Sequence, residues 1–179
     1  MGGSLGKKKA KIIIVGLDNS GKTTLINYLK PPKETLSEVT PTVGFKVESF
    51  KQDKINFTCF DMSGQGIYRE LWPEYYSEAQ GVIFVVDSAD KLRIAVAKNE
   101  LEMMFEDPGI RDRPVPILFF ANKKDLPYAL TESEIAEQFE LDNISDRDWH
   151  IEASNALTGE GVTEGINWLG AKLPKKKKK

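Results

Sequence analysis

A short apolar run that passes into a glycine-containing loop constrains this chain more than any other feature. Residues 12–15 are all β-branched, as expected for a strand buried on both faces. A helix is predicted from Gly21 to Leu29, where Pro31 and Pro32 stop it. The loop between strand and helix reads Gly16-Leu17-Asp18-Asn19-Ser20-Gly21-Lys22-Thr23. The sequence therefore predicts a strand–loop–helix unit close to its start.

This loop has the spacing G-x-x-x-x-G-K-[ST], which in a strand–loop–helix setting predicts phosphate binding. Glycines let the backbone approach phosphates closely, and the helix N-terminus adds partial positive charge. We expect Lys22 to reach the β- and γ-phosphates of a nucleotide, and the Thr23 hydroxyl to bind Mg²⁺. A glycine-containing turn with an exposed lysine is the alternative. The predicted phosphate-binding residues are Asp18, Asn19, Ser20, Gly21, Lys22, Thr23 and Thr24.

Composition narrows the class of protein. The length of 179 residues suits one domain, and 40% hydrophobic with 29% charged residues argues against global disorder. Cys59 and His150 are the single residues of their types, so a disulfide framework and a cysteine or histidine metal centre are excluded. Any metal must therefore use oxygen ligands. No apolar run reaches the length of a membrane span, and no secretory signal is expected.

Charge is distributed unevenly along the chain. Two lysine runs, Lys7–Lys9 and Lys175–Lys179, hold eight of the 25 basic residues, which leaves 17 against 27 acidic residues. An acidic body argues against nucleic-acid binding, whereas the ends could attract anionic lipid or simply be solvated. We expect an N-terminal segment 1–10 that is flexible or left over from expression, a domain spanning 11–173, and a basic tail 174–179.

Further strands and helices alternate along the body. Strands are predicted at 45–50, 55–60, 82–86, 116–120 and 148–151, and helices at 94–105, 131–139 and 162–173. The pair 45–50 and 55–60 is separated by the polar turn 51–54, which predicts an antiparallel hairpin. Strands separated by helices otherwise indicate an α/β fold with a mainly parallel sheet covered on both faces. Ligands of such sheets bind at the carboxyl ends of the strands.

A second motif, Asp61-Met62-Ser63-Gly64-Gln65, follows the predicted strand 55–60. An acid at a strand end, here Asp61, can hold Mg²⁺ through water. The N–H of Gly64 can turn toward a γ-phosphate, and Gln65 can orient the attacking water as the catalytic residue. Taken alone the pattern is weak, and a loop with a helix-capping aspartate is the alternative. The position of the motif after the phosphate loop favours a role in binding the nucleotide and its metal.

A third motif, Asn122-Lys123-Lys124-Asp125, follows the strand that ends near Ala121. The Asp125 carboxylate can accept two parallel hydrogen bonds from guanine, a donor pair that adenine lacks. Asn122 can fix the loop, and the stem of Lys123 can lie over the base. A polar turn is the alternative for this tetrapeptide in isolation. Further along, the segment Ser154-Asn155-Ala156 can offer the Ala156 N–H to the guanine oxygen.

Together these motifs resemble those of the small GTPases, and the resemblance covers residues 11–173. Features similar to the Arf and Arf-like branch are Gly16-Leu17-Asp18, Pro41-Thr42-Val43-Gly44-Phe45 and Trp72 with Tyr75-Tyr76. The segments 61–65, 117–123 and 149–151 are similar to an Arf-like subgroup linked to Bardet–Biedl syndrome, a disorder of ciliary trafficking. Ser63 and the sequence 66–68 depart from the commoner Arf pattern.

The resemblance implies a small-GTPase P-loop fold whose six-stranded sheet is mostly parallel with one antiparallel edge strand. It implies a switch that cycles between GTP and GDP with Mg²⁺. Thr42 is expected to close on the metal and the γ-phosphate, and Gly64 with Gln65 to form the second switch. Thr23, Thr42 and, through water, Asp61 are the expected metal-site residues. Intrinsic hydrolysis should be slow, because residues 31–42 contain no arginine and Asp18 adds negative charge.

The resemblance also implies partners. Phe45, Phe60 and Tyr75 are expected to form an aromatic effector-binding cluster, which Trp72 and Tyr76 extend. The expected effector of the GTP state is a protein, a ciliary membrane coat of the BBSome type, and an exchange factor and an activating protein are also implied. The expected location is cytoplasmic and peripheral to membrane, at the cilium or basal body.

Two other classes remain open at this point. A metabolic P-loop kinase would need an acceptor pocket and a basic lid, and the sequence shows neither. A scaffold that binds nucleotide without hydrolysing it is disfavoured by the presence of Gln65 and Thr42.

Overall fold

Strands and helices alternate in the structure, a computed structural model that describes residues 8–32 and 42–174. The strands are β1 (Lys8–Val15), β2 (Phe45–Gln52), β3 (Ile55–Met62), β4 (Gly81–Asp87), β5 (Ile117–Asn122) and β6 (Trp149–Ala153). The helices are α1 (Lys22–Leu29), α2 (Pro73–Tyr76), α3 (Ile94–Glu106), α4 (Pro108–Arg111), α5 (Glu132–Gln138) and α6 (Val162–Lys172). Short 3₁₀ turns occupy Gly66–Leu71, Lys91–Arg93 and Leu141–Asn143.

The six strands form one sheet in the order β2-β3-β1-β4-β5-β6. The edge strand β2 runs antiparallel to β3, and all other neighbours are parallel. The predicted fold class, a mostly parallel six-stranded sheet with one antiparallel edge strand, is confirmed. The hairpin turn is tighter than predicted, because Gln52 still pairs with Ile55.

The first strand is longer than the sequence predicted. It begins at Lys8, which pairs with Ile55, whereas the apolar pattern marked only residues 12–15. Residues 8–10, which the sequence placed in the N-terminal segment, therefore belong to the sheet. Pairing with β3 extends the strand through a lysine-rich stretch in which Ala10 is buried and Lys9 and Lys11 are exposed.

The sheet is covered on both faces by helices, which explains the continuous apolar runs of its central strands. Ile13, Val15 and Phe84 pack on one face with residues of α3. Ile12, Ile14 and their neighbours pack on the other face with α1 and α6. The fully buried Cys59 belongs to this second core, as expected for a packing residue.

The parallel strands bring their carboxyl ends to one edge of the sheet, where the loops after β1, β3, β5 and β6 meet. In the part of the chain that the structure describes, no helix combines the length and the apolar character needed to span a membrane. Three predicted features lie outside the described residues: most of the N-terminal segment (1–7), the greater part of the loop before Thr42 (33–41), and the lysine tail (175–179).

Candidate functional site

A cavity of about 440 Å³ opens at the carboxyl edge of the sheet. Its walls come from the loops after β1, β3 and β5 and from the segment that precedes β2. The lining residues are Asp18, Asn19, Gly21, Lys22, Thr23, Thr24, Thr42, Ser63, Gly64, Gln65 and Lys123. The fold therefore brings residues of all three sequence motifs to one cavity, although the motifs lie up to a hundred residues apart.

The loop after β1 wraps around its own lysine. Lys22 Nζ donates hydrogen bonds to the carbonyl oxygens of Gly16 at 3.0 Å and Leu17 at 2.9 Å. Gly21 has φ of +102°, and a β-carbon there would collide with the side chain of Asn122, so glycine is required. Burial lowers the pKa of Lys22 to about 8, a shift that the nearby carboxylates of Asp61 and Asp18 oppose.

Three side-chain oxygens converge beside this lysine. The Thr23 hydroxyl donates to Asp61 Oδ2 at 2.8 Å, and the Thr42 hydroxyl lies 3.1 Å from that of Thr23 and 3.5 Å from Asp61 Oδ2. The other carboxylate oxygen, Asp61 Oδ1, is buried without a hydrogen-bond partner among the described residues. Burial raises the pKa of Asp61, while the Thr23 hydrogen bond and Lys22 oppose this shift.

This oxygen cluster fits a hard divalent cation such as Mg²⁺, which prefers hydroxyl, carboxylate and phosphate oxygens. The unpartnered Asp61 Oδ1 leaves a buried acceptor that needs a cation or a water molecule. Within 8–32 and 42–174, no group of three or more histidine, cysteine or acidic residues is arranged to hold a metal. A cation beside Thr23 and Thr42 would therefore need further ligands, and nucleotide phosphates supply such oxygens.

Gly64 packs directly against the phosphate loop. Its carbonyl oxygen accepts hydrogen bonds from the Asp18 N–H at 3.0 Å and from Arg69 Nε at 3.0 Å. A β-carbon at Gly64 would collide with the backbone of Leu17 and Asp18, so this close approach requires glycine. Gln65 follows immediately, is half-buried, and lines the cavity beside the loop.

Asn122 joins two loops that the sequence pattern treated separately. Its Nδ2 donates to the Ser20 carbonyl at 2.9 Å, and its Oδ1 accepts from Ser154 Oγ at 3.0 Å and from the Ala156 N–H at 3.1 Å. The expectation that Asn122 fixes its loop is met, but the Ala156 N–H is occupied by Asn122. Asn155 holds the same turn, since its Oδ1 accepts from the backbone N–H of Leu157 at 3.1 Å.

The remaining residues of the third motif differ in their surroundings. Lys123 Nζ pairs with Asp87 at 2.8 Å and also donates to the Asn19 carbonyl, which holds its stem over the phosphate loop. Asp125 is exposed on the turn after β5.

Sequence reasoning missed two arginines near the cavity. Asp18 was expected to add negative charge beside the phosphate loop, and the structure pairs this charge with Arg93, whose Nη1 lies 2.7 Å from Asp18 Oδ1. Arg69, which contacts Gly64, pairs with Glu100 on α3 at 3.0 Å. No sequence motif could have revealed the first pair, because its members lie 75 residues apart.

The expected aromatic cluster forms, but with fewer members. The ring of Tyr75 lies 4.7 Å from that of Phe45 and 5.3 Å from that of Phe60, measured between centroids. Phe45 is 39% exposed. The expectation that Trp72 and Tyr76 extend this surface is wrong, because both are buried in the core between α3 and the sheet. Trp72 Nε1 donates a hydrogen bond to the Ser63 carbonyl at 2.9 Å, which fixes the backbone just before Gly64.

Comparison with known proteins identifies the family. The sequence model of the ADP-ribosylation factor (Arf) family matches residues 2–173. The chain belongs to the Arf family. ADP-ribosylation factor-like protein 6 of Danio rerio is 52% identical over 165 residues, which cover 92% of this chain and 89% of that protein. The protein of the same name from Caenorhabditis elegans is 43% identical over 171 residues, covering 96% and 90%.

A solved relative supports the same assignment. The structure of the Arl6 BBS3 small GTPase from Trypanosoma brucei, with the bound nucleotide analogue GppNp, shares 44% identity with this chain and superposes with a TM-score of 0.85. The match covers 92% of this chain and 96% of that one. This chain is therefore an Arf-like small GTPase, a GTP-dependent switch and a GTP hydrolase, and the kinase and scaffold alternatives are set aside.

Proposed function

We propose that the cavity holds the phosphates of GTP or GDP with Mg²⁺, and that the γ-phosphate sets the conformation of the two switches. The observation that carries this proposal is the convergence of Thr23, Thr42 and Asp61 beside the phosphate loop. Thr23 and Thr42 would hold Mg²⁺ directly and Asp61 through water. Bound there, the cation would neutralise part of the charge of the nucleotide phosphates.

The chain's own groups account for binding and for slow hydrolysis. Lys22 exchanges its carbonyl partners for phosphate oxygens, and the backbone N–H groups of residues 21–24, at the start of α1, surround the phosphates. Gln65 orients the attacking water. The two arginines nearest the cavity, Arg69 and Arg93, are engaged with Glu100 and Asp18. An activating protein that supplies a free arginine would therefore accelerate turnover.

Guanine selection is proposed for the loops after β5 and β6. Asp125 accepts the N1–H and N2–H₂ donor pair of guanine, and Lys123 lies over the base plane. Asn122 and Asn155 fix the two loops. The N–H of Ala156 points toward this region, and it would have to exchange its present bond to Asn122 for the guanine oxygen.

We propose that the cluster of Phe45, Phe60 and Tyr75 binds a protein effector in the GTP state. The cluster begins three residues after Thr42, and the Ser63 N–H donates to the Gly44 carbonyl at 2.9 Å, which couples the two switches. The γ-phosphate can then bias the cluster through differential contacts with each switch. Similarity to the Arl6 BBS3 small GTPase of Trypanosoma brucei supports a ciliary coat of the BBSome type as the effector, at the cilium or basal body on the cytoplasmic side.

The opposite end of the sheet is proposed to face anionic membrane. Lys8 pairs with Ile55, and Ile55 lies beside Gly170 of α6, so the start of β1 lies near the last turns of α6. Lys9, Lys54 and Lys172 are exposed there. This end lies away from the nucleotide cavity, so lipid and effector could be engaged together. Electrostatic attraction of this kind weakens with salt, which makes it testable.

A two-part experiment tests the proposal. Single-turnover GTP hydrolysis of the wild type and of Gln65→Leu is measured with and without a ciliated-cell extract as a source of activating protein. The Gln65→Leu variant should bind GTP normally but lose the stimulated rate. If it is stimulated as strongly as the wild type, water is positioned by another group.

The second part measures binding of a purified BBSome-type complex to GTP-loaded and GDP-loaded protein. Tyr75→Ala should weaken effector binding about tenfold, as loss of an aromatic anchor commonly does, with nucleotide affinity retained. Tyr128→Ala, at an 87% exposed tyrosine outside the cluster, is the matched control. Equal affinity of the two nucleotide states would contradict the switch assignment of this surface.

A further inference from the structure

Arg93 holds the phosphate loop from the side of α3. This residue ends the 3₁₀ turn just before the helix and directs its guanidinium at Asp18. Nη1 lies 2.7 Å from Asp18 Oδ1, Nη2 donates to the Asp18 carbonyl at 3.0 Å, and Nε lies 2.7 Å from Asp90 Oδ2. One guanidinium therefore binds both the side chain and the backbone of a cavity-lining residue, a geometry that lysine cannot reproduce.

A second connection joins the same helix to the second switch. Arg69 pairs with Glu100 of α3 and donates to the Gly64 carbonyl, which also accepts the Asp18 N–H. Asp18 is thus held at three backbone or side-chain atoms: its N–H by Gly64, and its carbonyl and carboxylate by Arg93. The phosphate loop is therefore connected to the start of α3 through Arg93, and the segment after Gly64 is connected to α3 through the Arg69–Glu100 ion pair.

We infer that Arg93 is a positioning residue for nucleotide binding, which neutralises and anchors Asp18 so that the cavity can accept the third phosphate. The inference rests on the proposed assignment of this cavity to nucleotide phosphates. Asp18 lines the cavity, so its carboxylate, once released from Arg93, would repel bound phosphates. The repulsion acts more strongly on GTP than on GDP because GTP carries more charge. Both partners are about one-third exposed, and solvent screening keeps the effect moderate.

The test compares the ratio of GTP to GDP affinity in the wild type, Arg93→Ala, Asp18→Asn and the double variant, using fluorescent nucleotides with Mg²⁺ at low salt. Arg93→Ala should lower the ratio by roughly threefold to tenfold. The double variant should return to the ratio of Asp18→Asn alone, because the repelling charge is gone. Higher salt should reduce the Arg93→Ala effect. Arg111→Ala removes an exposed arginine paired with Asp112, and it should keep the wild-type ratio.

The outcomes separate this inference from the proposed function. If the wild type does not bind GTP, the assignment of the cavity fails. If the wild type binds GTP and Arg93→Ala shows an unchanged ratio, the inference alone is overturned. If the double variant is as impaired as Arg93→Ala, the role of Arg93 is structural and the inference is likewise overturned. Should Arg93→Ala not fold, Arg93→Gln removes the charge but keeps a side chain of similar reach, and a rescue of its lowered ratio by Asp18→Asn supplies the same test.

Discussion

Truncation of Asn122 should disrupt more hydrogen bonds between loops than any other single substitution proposed for this site. It is 1% exposed, and its amide makes three hydrogen bonds that connect the phosphate loop at Ser20 to the loop at Ser154 and Ala156. Truncation to alanine would leave a carbonyl, a hydroxyl and a backbone N–H without partners.

The structure sets the expected size of this effect. Each hydrogen bond contributes about 1 kcal/mol net, so Asn122→Ala should lower the free energy of unfolding by roughly 3 kcal/mol. Ser154→Ala removes one of the three bonds and should cost about 1 kcal/mol. Asn143→Ala, at an exposed asparagine of a 3₁₀ turn, should stay within about 0.5 kcal/mol of the wild type. The three variants thus form a graded series.

Urea unfolding of the nucleotide-free protein measures the series, because all three hydrogen bonds are made in that state. Release of fluorescent GDP measures the functional consequence. If half of the roughly 3 kcal/mol destabilises the nucleotide-bound state, the barrier to nucleotide release falls by about 1.5 kcal/mol. Because 1.4 kcal/mol corresponds to a factor of ten, Asn122→Ala should then speed nucleotide release at least tenfold. A loss of stability below about 1 kcal/mol for Asn122→Ala, or an equal loss for Ser154→Ala, would refute the hydrogen-bond reasoning.

Three further outcomes are expected. Trp72→Phe should lower the free energy of unfolding in urea by about 2 kcal/mol, because it removes a buried hydrogen bond to Ser63 and leaves a small cavity; a neutral result would contradict the packing described here. Asp125→Asn should shift preference from guanine to xanthine in competition binding, and unchanged guanine affinity would disprove its role. In nucleotide-free protein, the pKa of Lys22 is lowered to about 8, so the unfolded chain binds more protons above that pH. The contribution of Lys22 to the free energy of unfolding should therefore increase as pH rises from about 8 toward 10, and Lys22→Met should abolish this increase in pH-dependent urea titrations.

Particular residues show how far sequence reasoning reached. Lys22 and Thr23 were predictable because phosphate and cation chemistry demand those residue types at that spacing in a strand–loop–helix unit. The prediction of the aromatic cluster came from the resemblance to the small GTPases, and Trp72 shows the limit of a prediction made in that way. An aromatic side chain serves equally as a surface anchor or a core residue, and its fate depends on which elements pack over it.

The sequence by itself determined the alternation of strands and helices, the double-sided burial of the central strands, and the three motifs at their carboxyl ends. These follow from local periodicity and from the chemistry of individual residue types. Only the tertiary structure decided that Asn122 links Ser20 to Ala156 and that Arg93 pairs with Asp18. Such partners lie tens of residues apart, and they meet because parallel strands, each returned by a helix, bring distant loops to one edge of the sheet.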